Sequence, residues 1–276
     1  MTLTTLQRFK ADNGLAYFRV GSGSPVVLVH GVGLRAEAWL HQIPQLSKQH
    51  TVYAVDMPGH GDSSLEAASS TTLNGYVDAI AQWIETDIQA PVIIIGHSMG
   101  SMIALDFASR YPQLCNGVAA LNAIFRRSDT ARQAVQQRAR EMVENPQLDR
   151  VSAPISRWFN TEPQGLELEM AELCRQWLSI APAAGYAQAY QIFSLEDGPS
   201  DDDLASLTVP AIFITGDGDS NSSGEMSQQM AQRCANGRYA VIKDSRHMVQ
   251  MTHPVEINLL LLEFADQCEQ HARNNV

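Results

Sequence analysis

Apolar residues along this chain fall into two kinds of pattern. The runs Val26-Val27-Leu28-Val29, Thr51 to Val55 and Val92-Ile93-Ile94-Ile95 show no polar alternation. Such runs predict strands covered on both faces, because neither side of the strand tolerates water. Val118 to Asn122, Ala211 to Thr215 and Tyr239 to Ile242 read as further strands. Between them, Ala36 to Ser47, Leu73 to Thr86 and Ser98 to Arg110 read as helices. A last helix is expected behind Pro254, whose fixed φ suits a first helical turn, with Ile257, Leu261 and Phe264 on one face. Near the N-terminus, Leu6 to Phe9 and Leu15 to Val20 flank Asp12-Asn13-Gly14, a hairpin signal. Strands alternating with helices imply an α/β fold: a mostly parallel central sheet, helices on both faces and an antiparallel N-terminal hairpin.

The alternation stops between residues 125 and 204. Helical patterns at Thr130 to Val143 and Leu166 to Ile180 fill this stretch, broken by Pro146, Pro154, Pro163 and Pro182. We therefore expect one structural domain, a core of residues 1–124 and 205–276 with a helical insertion at 125–204. The acidic cluster Glu196-Asp197 and Asp201-Asp202-Asp203 reads as a solvated linker.

Composition narrows the partners. Of 276 residues 45% are hydrophobic, and 19 basic against 30 acidic side chains give 19 − 30 = −11. So acidic a chain is ill suited to a nucleic-acid backbone or an anionic membrane surface, and neither is expected as partner. No apolar stretch approaches the roughly 20 residues of a membrane-spanning helix, and Met1 to Gly23 lacks an apolar h-region. Cys115, Cys174, Cys234 and Cys268 are scattered without a CxxC pair, so reduced, buried thiols in a cytoplasmic protein are expected.

The chemistry begins at Gly96-His97-Ser98-Met99-Gly100, a G-x-S-x-G sequence between a strand and a helix. A sharp turn there lifts the central serine into the open, and only small neighbours let the backbones pass. A serine hydroxyl is a weak nucleophile, so it needs a base, and the base needs an orienting acid. Gly216-Asp217-Gly218-Asp219 follows one later strand and Asp244-Ser245-Arg246-His247-Met248 follows the last. Both would lie beyond the carboxyl ends of parallel strands, where α/β sheets place their sites. His30-Gly31-Val32-Gly33 is positioned to supply the Val32 N–H, beside that of Met99, to a developing oxyanion.

Two competing motifs fare less well. Gly31-Val32-Gly33-Leu34-Arg35-Ala36 with Asp56 imitates a dinucleotide-binding turn, but leaves Ser98, Asp219 and His247 unexplained. Asp217-Gly218-Asp219-Ser220-Asn221 imitates a calcium loop whose sixth and twelfth positions, Ser222 and Gln228, are wrong. No zinc spacing occurs, and neither metal nor cofactor is expected.

Over nearly its whole length the chain resembles the α/β-hydrolase superfamily. The resemblance rests on His30-Gly31, Pro58-Gly59-His60-Gly61-Asp62-Ser63, Gly96 to Gly100, Gly216 to Asp219 and Arg246-His247-Met248, in that order. It implies Ser98 as nucleophile, His247 as base, Asp219 as acid and residues 125–204 as a helical cap. The family's acid is often followed by a proline-containing turn; here Ser220-Asn221-Ser222 follows, which leaves Asp217 open as the acid. The expected activity is hydrolysis of a small carboxylic ester or lactone through an acyl-enzyme. Carbon–carbon bond hydrolysis and cofactor-free perhydrolysis with the same triad are alternatives, as is a small-molecule receptor built on this fold. Trp158, Trp177, Tyr186, Tyr190 and Phe193 are available to line a pocket, although packing within the cap accounts for most of them. Arg126 or Arg127 is a candidate partner for a substrate carboxylate.

Overall fold

The unalternating runs become the middle of one sheet. The computed structural model describes residues 6–145 and 148–274, so Pro146 lies outside the described residues. Eight strands, β1 (Arg8–Lys10), β2 (Ala16–Gly21), β3 (Pro25–Val29), β4 (Thr51–Val55), β5 (Val92–His97), β6 (Cys115–Leu121), β7 (Ala211–Gly216) and β8 (Gly237–Ile242), pair in the order β1-β2-β4-β3-β5-β6-β7-β8. β2 runs antiparallel to both β1 and β4, and every other pairing is parallel. Successive side chains in the middle strands enter different cores. Val27, Val29, Val55 and Ile94 pack on one face, Val26, Leu28, Val52, Ile93 and Ile95 on the other. Both faces are dry, which is why the sequence shows no alternation. The edge strand β8 is different: Tyr239 and Val241 are exposed.

Eleven α-helices are present among the described residues: α1 (Ile43–Leu46), α2 (Leu73–Trp83), α3 (Met99–Arg110), α4 (Asp129–Glu144), α5 (Ser152–Trp158), α6 (Leu166–Ile180), α7 (Ala183–Leu195), α8 (Asp201–Ser206), α9 (Gly224–Ala231), α10 (Val249–Thr252) and α11 (Pro254–Asn274). α11 places Ile257, Leu261 and Phe264 against one sheet face, as their spacing predicts. Ala36 to Ser47 does not form the single helix expected. A 3₁₀ turn at Ala36–Trp39 is followed by the short α1 with Pro44 in its first turn. A proline inside a continuous helix would lack its N–H and clash one turn back, so the helix restarts around it. α2 ends three residues before Thr86 and continues as a π-turn, Ile84–Ile88.

The stretch between β6 and β7 holds α4 to α8 and, among its described residues, no strand. Its acidic cluster joins α7 to α8 with Asp201 and Asp202 exposed, as expected of a solvated linker, but it is tied down by a cap and ion pairs. Ser200 and Asp203 form a reciprocal cap on α8, Asp201 pairs with Arg126 and Arg233, and Asp197 pairs with Arg132. Carboxylates in a first helical turn face unsatisfied N–H groups and the positive end of the helix dipole, and basic side chains complete their neutralisation. All four cysteines are buried and free. Among the described residues, no helix is long and apolar enough to cross a membrane.

Candidate active site

Ser98 sits between β5 and α3 with φ 55° and ψ −120°, backbone that a non-glycine residue adopts only when its surroundings enforce it. The surroundings are tight: a Cβ on Gly96 would lie 2.0 Å from the Gly100 carbonyl oxygen. Small residues on either side of the turn are therefore a packing requirement. Ser98 itself is half-buried and opens onto a cavity that His247 also lines.

The His247 Nδ1 donates to Asp219 Oδ2 at 2.7 Å, and both side chains are buried. Asp217, the other carboxylate of that loop, is exposed. Asp219 Oδ2 also accepts from Asn122 Nδ2 at 2.8 Å and Ser222 Oγ at 2.6 Å, while Oδ1 accepts from the Asn221 N–H at 2.8 Å. Burial pushes this carboxyl up, but the His247 ring and its hydrogen bonds outweigh burial and hold it well below the usual carboxylate range. An ionised acceptor at this position keeps the His247 proton on Nδ1 and leaves Nε2 free to take one.

The loop after β3 is held by two buried imidazoles. His30 Nε2 accepts the Met57 N–H at 3.0 Å and Nδ1 donates to the Gly31 carbonyl at 2.8 Å. His60 Nε2 accepts the Gly33 N–H at 3.0 Å and Nδ1 donates to the Pro58 carbonyl at 3.1 Å. Burial keeps both rings neutral, lowering His60 to about 4 and His30 well below its ordinary value. Between these anchors Val32 reaches the cavity wall, and Met99, the first residue of α3, has no carbonyl one turn behind it to pair with its N–H. Asp56, the carboxylate of the dinucleotide alternative, is fully buried. It pairs with Arg8 at 3.1 Å and accepts the Ala36 and Asp62 N–H groups, which leaves no room for a ribose.

The cavity measures about 820 Å³ and lies between the sheet's carboxyl end and the helices of the 125–204 stretch. Trp158, Tyr186, Tyr190 and Phe193 line it; Trp177 does not and packs against the core instead. The Trp158 ring stacks 5.9 Å from the His247 ring. Arg246 Nη1 donates to the carbonyls of Ser156 and Phe159, tying the loop of His247 to α5.

Four arginines, Arg126, Arg127, Arg138 and Arg157, face one acid, Glu141, on this wall. Arg126 is half exposed and its Nη2 is held by both Asp201 oxygens at 2.7 Å. Arg127 is buried, donates from Nη1 to the Phe193 and Glu196 carbonyls, and stacks 4.3 Å over the Phe193 ring. Its Nη2 is buried with no hydrogen-bond partner among the described residues. Burial lowers this guanidinium to about 10, with Asp197 opposing, so it stays charged at neutral pH. Arg157 makes no hydrogen bond or ion pair among the described residues.

Sequence reasoning passed over Asn122, Ser222, His97, Arg138 and Arg157. Asn122 adopts φ 52° directly after β6, a conformation that nothing in its neighbouring residues marks. The two further arginines sit in a helical stretch where nothing in the spacing marks the cavity side.

Known proteins resemble this chain over most of its length. Residues 24–254 match the family model described as the alpha/beta hydrolase fold. An (E)-2-((N-methylformamido)methylene)succinate hydrolase from Acinetobacter baylyi is 40% identical over 242 residues, 88% of this chain and 90% of that protein. A malate-bound thermophilic esterase from Thermogutta terrifontis superposes with a TM-score of 0.83 at 25% identity, covering 95% of this chain and 99% of the other. An enol-lactonase from Burkholderia xenovorans superposes with a TM-score of 0.81 at 21% identity, covering 94% of this chain and 100% of the other.

Proposed function

Because the chain belongs to the α/β-hydrolase fold family and is a hydrolytic enzyme, we propose that it cleaves an acyl bond in a small carboxylate-bearing substrate, with Ser98 as nucleophile. The observation that carries this reading is the shared cavity of Ser98 and His247, whose Nδ1 is fixed by the buried Asp219 carboxylate. Ser98 Oγ attacks the acyl carbon while His247 Nε2 takes its proton, and the N–H groups of Val32 and Met99 hold the oxyanion. His247 then protonates the leaving group and activates a water that releases the acid. Asp219 keeps the imidazole in the required tautomer and stabilises its charged form.

The arginine-rich wall supports an anionic substrate. Arg127 offers a buried, unpartnered Nη2, and Arg157 offers a whole guanidinium. Guanidinium groups pair with carboxylates through two parallel hydrogen bonds, so they select such ligands by geometry as well as charge. Arg126 lines the same cavity with its Nη2 held by Asp201, and Arg127 Nη1 lies 3.7 Å from Asp197. We place the substrate carboxylate on Arg127 and Arg157 because each keeps a donor with no partner among the described residues. Trp158, stacked beside His247, closes the apolar side of the pocket. The Acinetobacter relative is named for a succinate bearing an N-methylformamido group, and the Thermogutta esterase was solved with malate; both are dicarboxylates. An amide therefore joins the ester and lactone as the bond to be cleaved. The helical stretch of residues 125–204 then acts as the cap that sets specificity, since it supplies all four arginines.

Monoethyl succinate and ethyl butyrate, assayed with the native protein and with Ser98→Ala, Arg127→Met and Arg157→Met, test both halves. Ser98→Ala is expected to lose at least about a thousandfold in turnover on either ester. Each arginine variant is expected to raise KM for the charged ester about tenfold or more, leaving the neutral one within about twofold. Turnover that survives Ser98→Ala overturns the nucleophile; equal losses on both esters overturn the anion site.

A further inference from the structure

His97 fills the variable position before the nucleophile, and its ring is fully buried. Its Nε2 lies 2.8 Å from the backbone carbonyl oxygen of His247, 150 positions later. A carbonyl only accepts, so Nε2 carries the proton and Nδ1 the lone pair. Burial, reinforced by the nearby His247 ring, lowers His97 to about 3, which keeps it neutral and in that single tautomer. Nδ1 is buried with no hydrogen-bond partner among the described residues and faces the loop after β3, where a Cβ on Gly31 would lie 3.2 Å away. The His97 and His247 ring centroids are 5.0 Å apart.

That bond is one of three on consecutive carbonyls. Ser245 O accepts the Gly218 N–H at 2.9 Å, Arg246 O accepts Asn122 Nδ2 at 3.4 Å, and His247 O accepts His97 Nε2. The loop carrying His247 is thus clasped in turn by the Asp219 loop, the end of β6 and the end of β5. Of the three, the His97 bond is the shortest, and it comes from the residue adjoining Ser98. Any displacement of Ser98 by its backbone is shared by His97, which moves the His247 carbonyl with it.

We propose that His97 is a positioning residue: its Nε2–H, bonded to the His247 carbonyl, sets the distance between Ser98 and the His247 ring. This rests on the reading of Ser98 as nucleophile and His247 as base. Misplacing reacting groups by about 1 Å costs on the order of a hundredfold in rate without weakening substrate binding.

The test uses diethyl p-nitrophenyl phosphate, which forms a Ser98 Oγ–phosphorus bond as p-nitrophenolate leaves, the hydroxyl proton passing to His247. It needs no knowledge of the natural substrate. His97→Phe keeps the ring and removes the N–H; His97→Gln restores an N–H at a similar reach. Phe is expected to slow labelling, and kcat on p-nitrophenyl acetate, by about 10- to 100-fold with KM within about twofold. Gln is expected to recover labelling to within about threefold of native. Native rates in the Phe variant overturn the proposal, because the ring would then act by packing alone. So does a Gln variant as slow as Phe, because an N–H at that reach would then not restore the distance. A native protein that is never labelled at Ser98 instead overturns the nucleophile reading on which the proposal stands. Should His97→Phe fail to fold, imidazole 15N shifts of the native protein decide: an Nε2–H tautomer at His97 is expected, and an Nδ1–H tautomer overturns the proposal.

Discussion

Asp219 receives four hydrogen bonds inside the protein, from His247, Asn122, Ser222 and the Asn221 N–H. So many donors are satisfied only because the carboxylate stays ionised, and an amide in its place would replace one acceptor oxygen with an NH2 that only donates. Asp219→Asn is therefore expected to lower turnover by about three to four orders of magnitude, because the amide favours the wrong His247 tautomer. Steady-state kinetics with a melting curve checks this; near-native turnover in a folded variant contradicts it. At this scale Ser98 and His247 were legible because each follows a strand in a recognisable loop. Asp219 was favoured over Asp217 by the family resemblance alone, since both satisfy the same local pattern; burial and the hydrogen bond to His247 distinguish them. His97 and Asn122 carried no signal in the sequence, because their partners lie 150 and 97 positions away.

Among the elements, β3, β4 and β5 were readable to within a few residues because hydrophobic burial on both faces leaves an unbroken run. Ala36 to Ser47 was misread because its apolar spacing fits a helix while Pro44 forbids one. α5, α7 and α8 were not separated out, since their boundaries are set by caps and by packing around the cavity. The start of α3 is set by crowding. A Cβ on Gly100 would lie 2.2 Å from the Val29 carbonyl oxygen and 2.5 Å from that of His30. Helix propensity alone says that Gly100→Ala gains about 1 kcal/mol. The clash is with backbone that cannot swing away, and forced overpacking costs about 1–3 kcal/mol, so net destabilisation is expected. A urea midpoint that rises in this variant contradicts the crowding.

At the scale of the whole molecule, burial holds the imidazoles of His30, His60 and His97 neutral. In the unfolded chain each titrates near 6.5. Their folded values are depressed, so below pH 6.5 the unfolded state takes up protons that the native state refuses. Stability is then constant above about 6.5 and lost as pH falls, by up to about 1.4 kcal/mol per pH unit per histidine. His60, lowered to about 4, alone accounts for about 3 kcal/mol across that window. Urea midpoints are expected to be flat between pH 7 and 8 and to fall steeply below 6.5; a midpoint steady down to pH 5 contradicts this.

What the amino-acid order determined by itself is whatever depends on neighbours a few positions apart: buried strands, the serine turn, and loops that end in an acid and a histidine. Burial periodicity and backbone sterics act locally, so they are written locally. Tertiary structure decided which carboxylate meets His247, which arginines turn inward, and that His97 meets the His247 carbonyl. Those pairings depend on where loops from distant strands converge at the carboxyl end of one sheet. Short-range polar contacts there are made by packing that no stretch of sequence contains.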